Sequence, residues 1–212
     1  MKKLKFDKAM KQVKQYEYVD LGLPSGLKWA KCNIGAETET DYGDYFMWGS
    51  VTPNTADECT WANAPFNNGS SSYDETYCNS VKGTICPNDV LVKEYDAATQ
   101  IMGGEWRMPT QSDFQELLDN TDSEWVEDFK GTGVNGRKFT LKTDASKYIF
   151  IPAAGFCTNG SVNYVGIYGD VWSSSLDTSY NYNAWYLSYS SDSCFMYNSS
   201  RYCGWPVRGV KE

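Results

Sequence analysis

The spacing of apolar residues changes several times along the chain, and each change predicts an element. Over the first residues Leu4, Ala9, Met10, Val13 and Tyr16 recur at helical spacing between lysines, which predicts an N-terminal helix over residues 1–17 with a solvated lysine face. YVDLGLPSGLKWA then alternates and turns at Pro24, Ser25 and Gly26, the pattern of a hairpin of short strands. Residues 52–89 lose periodicity: Asn, Ser, Thr, Asp and Gly dominate with isolated aromatics between them, as in a long surface insertion. Helical spacing returns from Glu94 to Met102, where Gly103 and Gly104 tolerate a left-handed cap. A further helix is predicted in MPTQSDFQELLDN, with Thr110 as N-cap, Asp113 three residues on, and Phe114, Leu117 and Leu118 on one face.

From Asn135 the pattern becomes that of strands, first GRKFTLKT and then YIFIPAAG, a buried strand closed by Pro152 and Gly155. The 47 residues from Cys157 to Cys203 hold 11 Ser, 8 Tyr and 5 Asn, about half the segment. Such a run would pass for low complexity, but Trp172, Ala184, Trp185, Leu187, Phe195 and Met196 punctuate it at intervals suited to strands with an inward face, and a disordered tail lacks such anchors.

Composition narrows the function classes. A chain of 212 residues with 41% hydrophobic and 16% aromatic content suits one loop-rich α+β domain with a single core, spanning 1–212. The net charge of -8 argues against nucleic acid as partner, since phosphate contacts need clustered Lys and Arg. No apolar run is long enough for a membrane span or a secretory signal, so no membrane insertion is expected. Histidine is absent and the 7 cysteines form no CxxC pair, which leaves no zinc motif and no Ser-His-Asp triad. Cys59, Cys78 and Cys86 stand together in the insertion, where a disulfide and free thiols are both open readings. GTGVNG at residues 131–136 lacks the lysine of a phosphate loop and reads as a hairpin turn. Asp170, Asp177 and Asp192 are spread too widely for a cation loop and read as exposed or variable carboxylates, so no metal and no cofactor are expected.

The blocks YVDLGLPSGLKWAKCNIGAE, YGDYFMWGS, YDAATQIMGGEWRMPTQSDFQELLD, IFIPAAGF, VWSSS and RYCGWPVRGV, in this order over residues 18–210, resemble the Fibrobacter-type major paralogous domain of Bacteroidetes proteins. The resemblance implies a C-type-lectin-like fold, similar to that of formylglycine-generating enzymes, with small twisted antiparallel sheets and two or more helices. Within it, Trp106, Arg107 and Pro109 read as core packing and a buried arginine pairing. Calcium-dependent lectins of this fold carry EPN or QPD with WND, and this chain has none of these triplets. Formylglycine-generating enzymes use a cysteine pair on copper; Cys194 and Cys203 are the pair near the chain's end, and no motif around them matches, so no enzyme activity is expected.

The wider group includes variable proteins of diversity-generating retroelements, whose C-terminal strands and loops display mutated residues. Mutagenesis at template adenines turns AAC or AAT codons into Asn, Ser, Tyr, Asp, Cys, Phe, Thr or Gly but never into Lys, Glu, Gln, Met or Trp. Lys, Glu and Gln total 29 in residues 1–154, so about ten are expected among the 56 from Gly155 to Val210, which hold none. The predicted variable region is 156–205, with Trp172, Trp185, Met196 and Trp205 as scaffold. Its candidate contacts are Asn159, Ser161, Asn163, Tyr164, Tyr168, Asp177, Thr178, Ser179, Tyr180, Asn181, Tyr182, Asn183, Tyr186, Tyr189, Ser191, Asp192, Ser193, Tyr197, Asn198 and Tyr202. Tyr contributes large contact area at low rotamer cost and Ser and Asn adapt their hydrogen bonds, which suits recognition of a protein or glycan on a cell surface. An extracellular, cell-surface or virion setting is expected, with a non-diversified surface or adhesin module as the alternative function and, after it, a degenerate enzyme of the formylglycine-generating type.

Overall fold

Alternation around the Leu23–Leu27 turn gives the first pairing of the computed structural model, which describes residues 15–212. Strands β1 (Tyr18–Asp20) and β2 (Lys28–Ala30) run antiparallel with Val19 opposite Trp29, and Gly26 N donates to Leu23 O at 2.9 Å in the turn. The helix expected over 1–17 lies outside the described residues except for 15–17, which are irregular.

The 52–89 segment is not confined to the surface. It carries helix α1 (Glu75–Ile85), capped by Asp74, and it buries Cys59, Ala64, Asn67, Cys78, Ile85 and Cys86. A sequence this polar can pack because Asn67, wholly enclosed, satisfies the turns around it. Its amide nitrogen donates to the carbonyls of Trp61, Ser70 and Ser72, and its Oδ1 accepts from Asp74 N at 2.8 Å.

The helix read from Glu94 to Met102 is divided. A 3-10 turn over Lys93–Tyr95 precedes α2 (Ala97–Met102) because Asp96 stops one and caps the other, accepting from Thr99 N and from Met108 N, each at 2.8 Å. Gly103 closes α2 at φ 70. Helix α3 (Gln111–Asn120) has both halves of the expected cap: Asp113 N donates to Thr110 Oγ1, and Thr110 N donates to the Asp113 carboxylate. Arg107 pairs with that carboxylate at 2.6 Å as expected of an arginine pairing, but it is half-exposed rather than buried, since the α3 N-terminus it meets lies at the surface.

Strands β3 (Thr121–Val126), β4 (Gly136–Leu141) and β5 (Tyr148–Pro152) form one antiparallel sheet. The hairpin β6 (Phe156–Thr158) and β7 (Ser161–Asn163) follows. Then β8 (Gly169–Leu176), β9 (Asn183–Tyr189) and β10 (Cys194–Ser200) form a second three-stranded antiparallel sheet with β9 in the middle. The final strand β11 (Val210–Lys211) returns to pair with β2. The protein is thus mixed α+β, with several small antiparallel sheets and few helices. No helix among the described residues is long and apolar enough to cross a membrane.

Sheet β8-β9-β10 is packed from both sides. Trp172, Tyr186, Ala184, Trp205 and Val207 join Trp48 and Trp106 in one cluster, whereas Val171, Leu187, Tyr189 and Val210 join Trp29, Phe114, Phe139 and Ile151 in another. Every residue of β8 is therefore buried, and its serines bond inward: Ser173 Oγ donates to Trp185 O at 2.7 Å and Ser174 Oγ to Pro109 O.

Candidate functional site

The β8–β9 connection is organised by Asp177. Its Oδ1 accepts from Ser179 N at 2.8 Å and from Tyr180 N at 3.3 Å, while Asn183 N closes the loop on Tyr180 O at 2.7 Å. Asp177 is buried, so this candidate contact is corrected to a positioning residue. What it positions is outside: Thr178, Ser179, Tyr180 and Tyr182 are exposed, and Asn181 and Asn183 are half-buried. The polar Thr178–Asn183 run does not collapse inward, because the buried carboxylate takes the backbone N–H groups that would otherwise need a partner.

Tyr182 and Tyr180 continue into a row of rings that includes the 52–89 segment. Their centroids lie 5.8 Å apart; Tyr73 follows at 5.5 Å from Tyr182, Trp61 at 5.5 Å from Tyr73, and Tyr202 at 5.0 Å from Trp61. These are tilted and edge-on contacts that hold aromatic pairs in place without stacking them flat. Tyr73 Oη donates to Asn181 Oδ1, and Asn181 Nδ2 donates to Asn79 Oδ1. Beside the row lies a cleft of about 520 Å³, walled by Glu75, Asn79 and Lys82 of α1 and by Thr178 to Tyr182. Desolvation is the main cause that pushes the Tyr73 hydroxyl up to about 12, so it stays protonated and donates at neutral pH.

Nothing in the amino-acid pattern assigns Trp61, Tyr73 and Asn79 to this place. Their signal is that of isolated aromatics within a polar stretch, and no local feature says which loop they will meet.

The candidates on the strands divide. Tyr197, exposed, and Asn198, half-buried, lie on β10; Tyr197 meets Tyr186 and Phe195, and Asn198 Oδ1 accepts from Asn183 Nδ2 at 2.9 Å. Tyr186 and Tyr189, expected as contacts, are buried. Tyr186 packs 4.0 Å from the Trp205 ring, and Tyr189 donates its hydroxyl to Pro152 O at 3.0 Å beside Phe139. Both face inward because each face of the sheet has its own core, so alternation along β9 gives no fully exposed side. Desolvation raises both phenols well above their ordinary value.

The remaining candidates lie elsewhere. Ser191 and Asp192 are exposed and Ser193 half-buried in the β9–β10 turn, at the other end of β9 from Tyr182, about 20 Å along a strand of this length. Asn159 at φ 45 lies in the exposed turn of the β6–β7 hairpin, and Ser161, also exposed, opens β7. Half-buried Asn163 and exposed Tyr164 and Tyr168 follow, and Tyr164 stands in the left-handed region at φ 60. Tyr164 and Tyr168 meet at 5.3 Å among exposed Val162, Val165 and Ile167. Gly169, next to Tyr168, pairs with Tyr189, so this group shares the turn's end of the sheet. Tyr197, opposite Tyr186, lies midway along the sheet, and the other exposed or half-buried candidates form two groups, one at each end.

Asp170, read as an exposed carboxylate, is also corrected: it is buried, accepts from Ser188 Oγ at 2.9 Å, and desolvation pushes it up to about 7. Among the described residues no cluster of His, Cys, Asp and Glu is arranged to hold a metal ion. Comparison of the chain with family models, with curated proteins and with solved structures gives no match.

Proposed function

We propose that the chain is a C-type-lectin-like recognition domain whose ligand surface is diversified in the manner of retroelement variable proteins. One observation carries this reading. From Thr178 to Cys203 every exposed residue is Thr, Ser, Tyr, Asp or Phe: Thr178, Ser179, Tyr180, Tyr182, Ser191, Asp192, Phe195 and Tyr197. All are types reachable from an adenine-mutagenised Asn codon. The types that such codons cannot become are half-buried or buried, at Trp172, Trp185, Met196 and Trp205. A surface restricted in residue type, on a framework restricted in the opposite sense, is what variation without unfolding requires.

The principal recognition end is the aromatic row with its cleft, because rigid rings beside adaptable Asn and Ser side chains concentrate binding energy at low entropic cost. The ligand is a protein or glycan on a cell surface, bound non-covalently and without a metal. The deciding experiment is genomic: a near-repeat of the coding segment for 156–205, beside a reverse-transcriptase gene and differing only at adenines, is expected. A locus without such a repeat returns the chain to an adhesin module of fixed surface.

A further inference from the structure

Cys59 and Cys157 are wholly buried, and their sulfurs lie 2.9 Å apart, inside the separation that two unbonded sulfurs prefer. The backbones around them are already joined: Asn159 N donates to Cys59 O at 3.0 Å, Gly160 N donates to Ala56 O at 2.9 Å, and Cys157 exchanges both backbone bonds with Gly204. Closing to the roughly 2.05 Å of an S–S bond therefore asks for about an ångström of side-chain movement and leaves the fold as it is. Cys59 comes from the 52–89 segment and Cys157 from β6. The other candidate partners for Cys59 are engaged elsewhere: Cys78 Sγ donates to Phe66 O at 2.8 Å and accepts from Arg201 at 3.0 Å, and Cys86 packs with Ile85 and Leu91.

We propose that Cys59 and Cys157 form a disulfide in an oxidising compartment, covalently tying the 52–89 segment to the β6 hairpin. The inference stands on the thiol geometry and does not depend on the recognition function. With the hydrogen bond running from Cys59 to Cys157, the Cys157 thiol is lowered and the Cys59 thiol raised, which makes Cys157 the readier nucleophile of the two. With a low-molecular-weight disulfide such as oxidised glutathione as oxidant, Cys157 thiolate attacks one reagent sulfur and breaks its S–S bond, releasing one thiolate. Cys59 then gives up its proton and attacks the Cys157 sulfur of the mixed disulfide, expelling the second thiolate. Two protein thiols are oxidised, the reagent is reduced to two thiols, and the two protein protons end on them. Because both sulfurs are enclosed, the exchange takes place as the segment folds down, or during its opening.

The bond fixes the platform described above. Trp61 stands two residues beyond Cys59 and packs on Tyr202, one residue before Cys203. Tethering the segment keeps Trp61 and Tyr73 in register with Tyr182 and removes freedom that a ligand would otherwise have to order.

The test is to equilibrate the purified chain in glutathione buffers during refolding, alkylate the free thiols in denaturant, and map peptides by mass without reduction. In oxidised buffer the expected result is five alkylated cysteines, a Cys59–Cys157 linked peptide, and a melting temperature about 10 °C above that of the reduced protein. Cys203→Ser, which removes the nearest competing thiol, is expected to leave the linked peptide unchanged, and Cys59→Ala to leave Cys157 alkylated and abolish the redox-dependent shift. Seven alkylated cysteines after oxidation, or a linkage of either residue to Cys203 or Cys86, overturns the proposal.

Discussion

Tyr189 and Tyr197 are the same side chain in opposite circumstances. Tyr189 is enclosed, with a bonded hydroxyl, and Gly169 faces its ring so closely that an added Cβ would overlap it; Tyr197 is 56% exposed. Tyr189→Phe is therefore expected to lose about 1 kcal/mol, because it leaves Pro152 O without its donor, and Tyr189→Ala about 3–5 kcal/mol. Tyr197→Ala should stay within about 0.5 kcal/mol. Denaturant melts of the three variants check this, and equal losses at 189 and 197 would contradict the burial. Asp170 gives a second prediction at this scale. Its carboxyl sits at about 7 in the folded chain, above the unfolded value near 4, so the folded state holds the proton longer. Its stabilisation is complete below about pH 4, declines as pH rises, and is gone above about pH 7. The gap between the folded and unfolded values corresponds to roughly 4 kcal/mol as an upper figure. Buried Asp96, raised chiefly by desolvation, acts in the same direction. The protein should melt at higher temperature at pH 5 than at pH 8, and Asp170→Asn should flatten most of that difference.

Among the elements, α3 is legible residue by residue, because a cap is local chemistry: Thr110 and Asp113 satisfy each other across one turn. The β4 and β5 strands are legible because their patterns are also local: β4 carries apolar Phe139 and Leu141 two apart, and β5 is a short unbroken apolar run that Pro152 closes. The 94–102 pattern misleads at Asp96, where a residue acceptable inside a helix also caps the next one and reaches Met108 N. The 52–89 segment is illegible because its order comes from Asn67, whose partners are backbone carbonyls that any sequence supplies. Of the candidate site, residue types are readable and burial is not. Tyr186 and Tyr189 look like Tyr182 in sequence and are distinguished only by cores on both faces of the sheet. Asn67→Ala is expected to cost about 3 kcal/mol, since it strands several buried backbone groups at once. It should also weaken binding at the aromatic row, which Tyr73→Ala should do without comparable loss of stability. Melts read alongside affinity distinguish the two.

At the scale of the whole molecule, the proposed recognition and the cohesion of the fold draw on different residues. Arg208 is fully enclosed, and its guanidinium donates to Asn33 Oδ1 at 2.8 Å and to the carbonyls of Ala30, Lys31 and Phe150, pinning the C-terminal segment to β2 and β5. Desolvation first of all lowers it to about 10, so it remains charged at neutral pH. Arg208→Lys cannot span this fan of acceptors and should destabilise by about 3 kcal/mol or more, with little change in the intrinsic affinity of the molecules that remain folded. Conversely, Trp61→Ala and Tyr182→Ala should each cost about 2 kcal/mol of binding once a ligand is found by panning against bacterial surface proteins, and a chelator should leave binding unchanged. Full affinity after both truncations would move the site to the Tyr164 and Tyr168 end.

The sheet β1-β2-β11 carries a consequence of its own. Its outer strands are the first and the last of the described chain, both paired to β2, and it contains no candidate contact residue. β1 and β11 are thus neighbours, about two strand spacings or roughly 10 Å apart. A chain cut to residues 15–212, closed by a Gly-Ser bridge and reopened in the exposed turn at Ala145 and Ser146, should give a circular permutant that folds and binds as before. The same arrangement lets residues 15–212 be spliced as a cassette into a loop of a carrier protein, with the candidate contact residues clear of the graft.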